Sequence, residues 1–212
     1  MKALVLSGLV LLIVSAMHAD MEVIYGDAQI TYVFYDQVSE MPEGVHLGAA
    51  WGLNVPEQYR PGQSFTPWSP FIDFIDLGVG GSQSQGGSVY VVLRSDSITG
   101  PIIASTDPIA IPPGGSSGWT RFIFPSRVEI RPDETYYFQP VLEPGGYAYV
   151  VGYNMTRYTA GRAFFGTQSQ RGMDMFFREG LIETVAVPEP STAVLVLSGL
   201  FVSGLAVRRK RA

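Results

Sequence analysis

The sequence predicts an all-β fold, a jelly-roll-like β-sandwich flanked by an N-terminal signal peptide helix and a C-terminal transmembrane helix. Three observations predict it. Between Asp20 and Ala186 no stretch carries a helical period; short alternating or β-branched runs are broken by turn residues, in a chain with 24 Gly and 15 Pro in all. These runs recur roughly every ten residues, the spacing of a two-sheet jelly roll. Each end of the chain carries an uncharged apolar segment beside basic residues.

At the amino end, residues 1–19 combine Lys2, an apolar run over 3–14 and the small residues Ser15, Ala16 and Ala19. That is the layout of a secretory signal peptide, too short to span a bilayer. Cleavage after Ala16 puts Val14 three positions back, and cleavage after Ala19 puts the bulkier Met17 there. Both remain open.

The predicted strands are 29–35, 63–66, 71–78, 88–94, Ile102–Ser105, 119–124, 135–140, 148–153, Ala163–Phe165 and 173–178. Turn chemistry separates them: Gly80-Gly81 to Gly86-Gly87, Pro112-Pro113-Gly114-Gly115, Arg131-Pro132-Asp133-Glu134 and Pro144-Gly145-Gly146. Residues 20–185 are thus one predicted ectodomain of roughly 165 residues, enough for a real core.

The tail, 186–212, reads in three parts. Pro188-Glu189-Pro190 is stiff, because two prolines fix φ and push the residue before each toward extended geometry. Residues 193–207 follow without a charge. As a helix they would be about 22 Å long, short of the ~30 Å hydrocarbon core. Ser191 and Thr192 extend the span, and Arg208, Arg209, Lys210 and Arg211 snorkel to the interface. The positive-inside rule keeps those cations cytoplasmic and the rest of the protein across the membrane. Four consecutive cations argue against a buried core helix. A plain membrane anchor is the competing reading.

The order of motif, short apolar span and basic end resembles the PEP-CTERM sorting signal of exported bacterial proteins. The hallmark is matched by Val187-Pro188-Glu189-Pro190, the membrane span by 193–207 and the basic end by Arg208–Arg211. The resemblance implies an exosortase-type processing enzyme as partner, cleavage near Pro188–Pro190, and a host that makes an extracellular polysaccharide matrix. It also implies a course from membrane-anchored precursor to cell envelope or matrix. Residues 60–177 resemble the sandwich modules carried on such proteins, of galactose-binding-like or choice-of-anchor type. The carriers are Gln63-Ser64-Phe65-Thr66-Pro67, Trp119-Thr120-Arg121-Phe122, Arg131-Pro132-Asp133-Glu134-Thr135-Tyr136-Tyr137 and Met173-Asp174-Met175-Phe176-Phe177. That likeness implies a fold and no ligand.

Composition excludes several function classes. The predicted exported region holds 9 Arg, no Lys and 18 acidic residues, a surface that repels nucleic acid and anionic lipid. Zero cysteines exclude disulfide stapling and thiol catalysis. His46 is the one histidine beyond the leader, with no second imidazole and no nucleophile elbow beside it, so no metal site is expected from it. Asn154-Met155-Thr156 fits a glycosylation sequon that a bacterial export context leaves silent.

Asp73 and Asp76 stand three apart and point to opposite faces of a regular strand unless a bulge intervenes. They are expected as one solvated edge acid and one turn-capping acid. Asp133-Glu134 read as turn residues. Asp96 and Asp107 offer loop carboxylates to calcium, but no DxDxDG spacing is present, so the expected cofactor set is none.

Aromatics are the better lead. Tyr147, Tyr149, Tyr153 and Tyr158 cluster, and the first three share one face of a regular strand. Such faces hold extracellular polysaccharide by ring contact and hydrogen bonds, although packing in a sandwich core or rim is the commoner use. Trp119, flanked by Phe122 and Phe124, reads as core. The expectation is an exported non-enzymatic protein with a structural, adhesive or weak carbohydrate-binding role. The alternative is a polysaccharide hydrolase or lyase on a jelly-roll scaffold, which needs two carboxylates ~5–9.5 Å apart in a cleft.

Overall fold

The computed structural model describes residues 20–26, 29–40, 48–115, 117–153 and 158–186. Residues 1–19, His46, Asn154, Pro188, Glu189, Pro190, the span 193–207 and the cations from Arg208 to Arg211 lie outside the described residues. Among the described residues no helix is long and apolar enough to cross a membrane.

The chain is all-β, with two antiparallel sheets. Its strands are β1 (Met21–Tyr25), β2 (Gln29–Ser39), β3 (Gly48–Gly52), β4 (Pro61–Phe65), β5 (Phe71–Gly80), β6 (Gly87–Arg94), β7 (Ile102–Ser105) and β8 (Ile109–Ile111). They continue with β9 (Gly118–Glu129), β10 (Tyr136–Leu142), β11 (Tyr149–Tyr153), β12 (Ala163–Phe165), β13 (Gln168–Ser169), β14 (Asp174–Met175) and β15 (Phe177–Ala186). The described residues divide into two compact units, one of 20–21 and Phe34–Leu181, the other of Glu22–Val33 and 182–186.

In the larger unit β5 is the axis of the first sheet. Its residues 74–77 pair with β15 on one edge and with β9 on the other. Beyond β15, Val79 and Gly80 pair with β11, which carries β3 on its far side and β14 beside Gly152 and Tyr153. The second sheet runs β13-β12-β4-β10-β6, with β7 and β8 sharing the outer edge of β6. The sheets face each other as a β-sandwich. Alternation dictates which residues meet: Ile75, Leu77 and Val79 of β5 and Phe122 and Phe124 of β9 join one core with Val89, Val91 and Leu93 of β6 and Phe65 and Phe138. Phe177 bridges the layers, its ring 5.1 Å from Phe138 and 6.3 Å from Phe65. Each such buried side chain contributes roughly 1.5–3 kcal/mol.

In the smaller unit a hairpin closes β1 onto β2, with the Gly26 N–H donating to Gln29 O at 2.9 Å. The Thr31 and Thr184 hydroxyls, 3.2 Å apart, link β2 to β15.

Several strands escape the alternation pattern. β3 is Gly-Ala-Ala-Trp-Gly, without a branched residue, and β1, β8 and β13 were not expected either. β9 runs on through Pro125 to Glu129. Ile72 pairs with Val128 and Phe74 with Ile123, so residues 124–127 bulge opposite Asp73 alone. A proline on that bulge withholds no ladder hydrogen bond. β15 extends past Arg178 to Ala186, adjoining Val187-Pro188 in sequence.

Candidate functional site

Because Phe122 and Phe124 face inward, their odd-numbered neighbours face out. Trp119 stands three residues from Phe122, an odd step, and is 44% exposed, which corrects its expected place in the core. Around it the outer face of the first sheet carries a lattice of cations and rings. Arg121 grips Asp76 with two hydrogen bonds of 2.8 Å, Nε to Oδ1 and Nη2 to Oδ2. The same Nη2 donates to the Tyr35 hydroxyl at 2.8 Å, and the guanidinium lies 4.6 Å from the Phe74 ring centre. The Asp76 hydrogen bond, opposed by burial, raises the Arg121 pKa further still.

Arg178, on β15, lies 4.3 Å from the Trp119 ring centre and 5.2 Å from that of Tyr35. Its Nε donates to Glu40 Oε1. Burial opposes its charge, and Glu40 and Tyr35 more than offset that, so its pKa is raised. Planar guanidinium stacked on indole is held by cation–π attraction, about 0.5–2 kcal/mol.

Asp73 and Asp76 are both buried, so neither is the solvated or capping acid expected. The bulge turns Arg127 back onto Asp73, with Nε and Nη2 at 2.9 and 2.7 Å from its two oxygens. Each acid is therefore half of a bidentate pair, and they do not converge on a common point of chemistry. Asp133 sits in a turn at φ 63° as its sequence implies, and its N–H donates to Pro67 O at 2.9 Å. Asp96 also adopts a left-handed conformation, φ 65°, with the Ser95 hydroxyl 3.3 Å from its Oδ2. Among the described residues no three His, Cys, Asp or Glu side chains gather as a metal site.

The tyrosine cluster is only partly assembled. Tyr147 precedes β11 and is half-buried. Tyr149 is half-buried and donates its hydroxyl to Gly115 O at 2.8 Å. Tyr153 is 6% exposed, its ring 6.3 Å from Phe176. Val150 enters the core, so Tyr149 and Tyr153 lie on the opposite, outer face of β11. Tyr158 turns inward, its ring edge-on to Phe177 at 5.1 Å and its hydroxyl bonded to Gln37 Oε1 at 3.0 Å. Burial raises its pKa.

A hollow of about 270 Å³ opens on this outer face between Trp119 and the side chains of Val151 and Phe176. The buried Gly78 lies at its base, and the exposed Glu40, Ser117 and Gly118 complete its lining. The depth comes from sequence: Trp119 pairs with Gly78, whose missing side chain leaves the indole wall bare. A wider hollow of about 620 Å³ follows the β7 and β9 edges, with Arg127, Arg131 and Glu134 in its lining already engaged in ion pairs.

Sequence reasoning missed a second feature, an interior polar cluster. Glu179 is fully buried on an inward position of β15, next to the Asp36 carboxyl. Burial first, and the charge of nearby Asp36 second, raise its pKa well above the ordinary carboxylate value. Asp36 Oδ2 accepts the backbone N–H groups of Trp68 and Ser69 at 2.8 and 3.0 Å. Asp174 accepts from Gln63 Nε2 at 3.2 Å and from the Tyr158 N–H at 3.3 Å. Asp36 and Glu179 are sealed in the interior and line none of the hollows described. They are not the open, water-accessible acid pair that glycoside hydrolysis uses.

No family model matches the chain, and no curated protein matches it. Among solved structures, an arabinose-bound GH51 α-L-arabinofuranosidase aligns with 80% of this chain at 13% identity and a TM-score of 0.17. This chain spans 22% of that enzyme's length, and a likeness so slight carries no argument about fold or activity.

Proposed function

We propose that this chain is an exported, non-enzymatic envelope or extracellular-matrix protein. Its PEP-CTERM-like tail sorts it, and its β-sandwich has a structural or adhesive role with weak contact to extracellular polysaccharide. The single observation that carries the reading is the order at the carboxyl end: Pro188-Glu189-Pro190, the uncharged span 193–207, then Arg208 to Arg211. Each part has its own physical task. The prolines hold an extended, accessible segment. The span seats the precursor in the bilayer, and the cations fix its direction. The signal peptide of residues 1–19 starts the same route. A jelly-roll connectivity for the sandwich, with a helix at each end, belongs to this reading.

The test is intact mass spectrometry of the full chain from a host with an exosortase-type enzyme. The expected mature protein lacks residues 1–16 or 1–19 and ends near Pro188–Pro190. The Glu189→Ala variant stays in the membrane fraction with its tail. A mature chain that retains 193–207 makes the tail a plain anchor, and a cytosolic chain with both termini overturns export altogether.

A further inference from the structure

The hollow beside Trp119 has the chemistry of a sugar platform, and we propose that it binds a single neutral pyranose unit of a polysaccharide chain. The inference names the ligand class and site of the carbohydrate contact proposed above and rests on that reading for its setting.

Four observations converge. First, Trp119 is large, flat and 44% exposed on a sheet face, where a merely structural tryptophan is covered. Second, Arg178 lies 4.3 Å from its ring centre and holds the indole in one orientation before any ligand arrives. A fixed platform loses little conformational entropy on binding. Third, the opposing wall is Val151 and Phe176 over a floor with only a glycine at position 78, so a ring-shaped ligand finds apolar contact on more than one side. Fourth, the polar groups are few and placed at the rim. Ser117 and Glu40 are the polar side chains in its lining. Glu40 commits Oε1 to Arg178 and leaves Oε2 to accept from sugar hydroxyls.

Charge selects the class. The rim carboxylate of Glu40 and a predicted ectodomain with 18 acids against 9 arginines disfavour a uronate or sulfate group. A neutral pyranose offers the apolar C–H face that packs on indole and hydroxyl donors for Glu40.

The experiment is affinity electrophoresis and calorimetry of the full chain in detergent micelles, with soluble neutral glucans and galactans as probes and polygalacturonate as the acidic control. Binding of at least one neutral probe is expected, with no retardation by polygalacturonate. Trp119→Ala should weaken binding about tenfold or more. Gly78→Val should do the same without removing the indole, because its side chain fills the hollow beside it. A Cβ at that position meets Val151 Cβ at 3.4 Å, ordinary contact, and circular dichroism of the variant checks that the two γ-methyls leave the fold intact. Trp68→Ala removes another exposed tryptophan, 58% exposed, and should leave binding unchanged. Undiminished binding in both Trp119→Ala and Gly78→Val overturns the site. Failure of every neutral probe, or binding of polygalacturonate alone, overturns the ligand class. None of these outcomes depends on tail processing, which intact mass reads separately.

Discussion

Glu179 is an acid at a position where alternation calls for an apolar side chain. Phe177 and Leu181, two residues to either side, point into the same interior. Nothing in the local sequence distinguishes it from the half-buried Glu183, since full burial of one acid is decided by what the opposite strands place over it. Asp36, Asp174 and Tyr158 are the titratable groups around it. With its pKa raised above the unfolded value, the folded chain holds a proton that the unfolded chain releases from about pH 4.5 upward. This contribution to stability is therefore whole at acid pH and is lost as pH rises toward the folded-state pKa. Glu179→Gln keeps the shape and removes the titration. The variant should be more stable than the parent at pH 8 by about 1–3 kcal/mol, with the gap closing below pH 4.5. Urea titrations at both pH values measure it. Equal parent–variant gaps at the two pH values would refute the assignment.

At the scale of the element, legibility followed the alternation of apolar and polar residues. β5, β6 and β7 are branched or aromatic at regular steps and were readable, as were the glycine and proline turns around them. β3, made of small residues, carries no such signal and is a strand because β11 pairs with all five of its positions. The outward place of Trp119 was legible from its odd distance to Phe122, but aromatic neighbours suggested packing instead. The arginine partners of Asp73 and Asp76 were not legible, because they lie 54 and 45 residues away and one depends on a bulge. Glycines mark where strands meet closely. At Gly180 of β15, a Cβ would lie 1.8 Å from Phe34 O of β2, which no side-chain movement relieves. Gly180→Ala should therefore cost more than ~3 kcal/mol, a Tm fall of about 6–12 °C for a domain of this size. Gly78→Ala, with only ordinary contacts, should shift Tm by less than ~2 °C. Differential scanning calorimetry of the two variants separates close strand approach from generic glycine loss.

For the whole molecule, the absence of cysteine leaves burial and strand pairing to hold the fold. The first sheet joins segments from opposite ends of the chain, because β2 near the start pairs with β15 near the end. Closing so long a loop costs entropy that is recovered only when the late strand docks. Phe177 is what it docks with: fully buried, and in ring contact with Phe65, Phe138 and Tyr158 from the rest of the core. The sandwich should therefore fold after the chain through Ala186 is available, and slowly, in the millisecond-to-second range of non-local β proteins. A chain ending at Phe176 should show no cooperative unfolding transition, while Phe177→Ala in the full chain should lose about 3–5 kcal/mol and remain folded. Circular dichroism through a thermal ramp reads both. A cooperative transition in the shortened chain would mean that β15 is an accessory to the core rather than its closing strand.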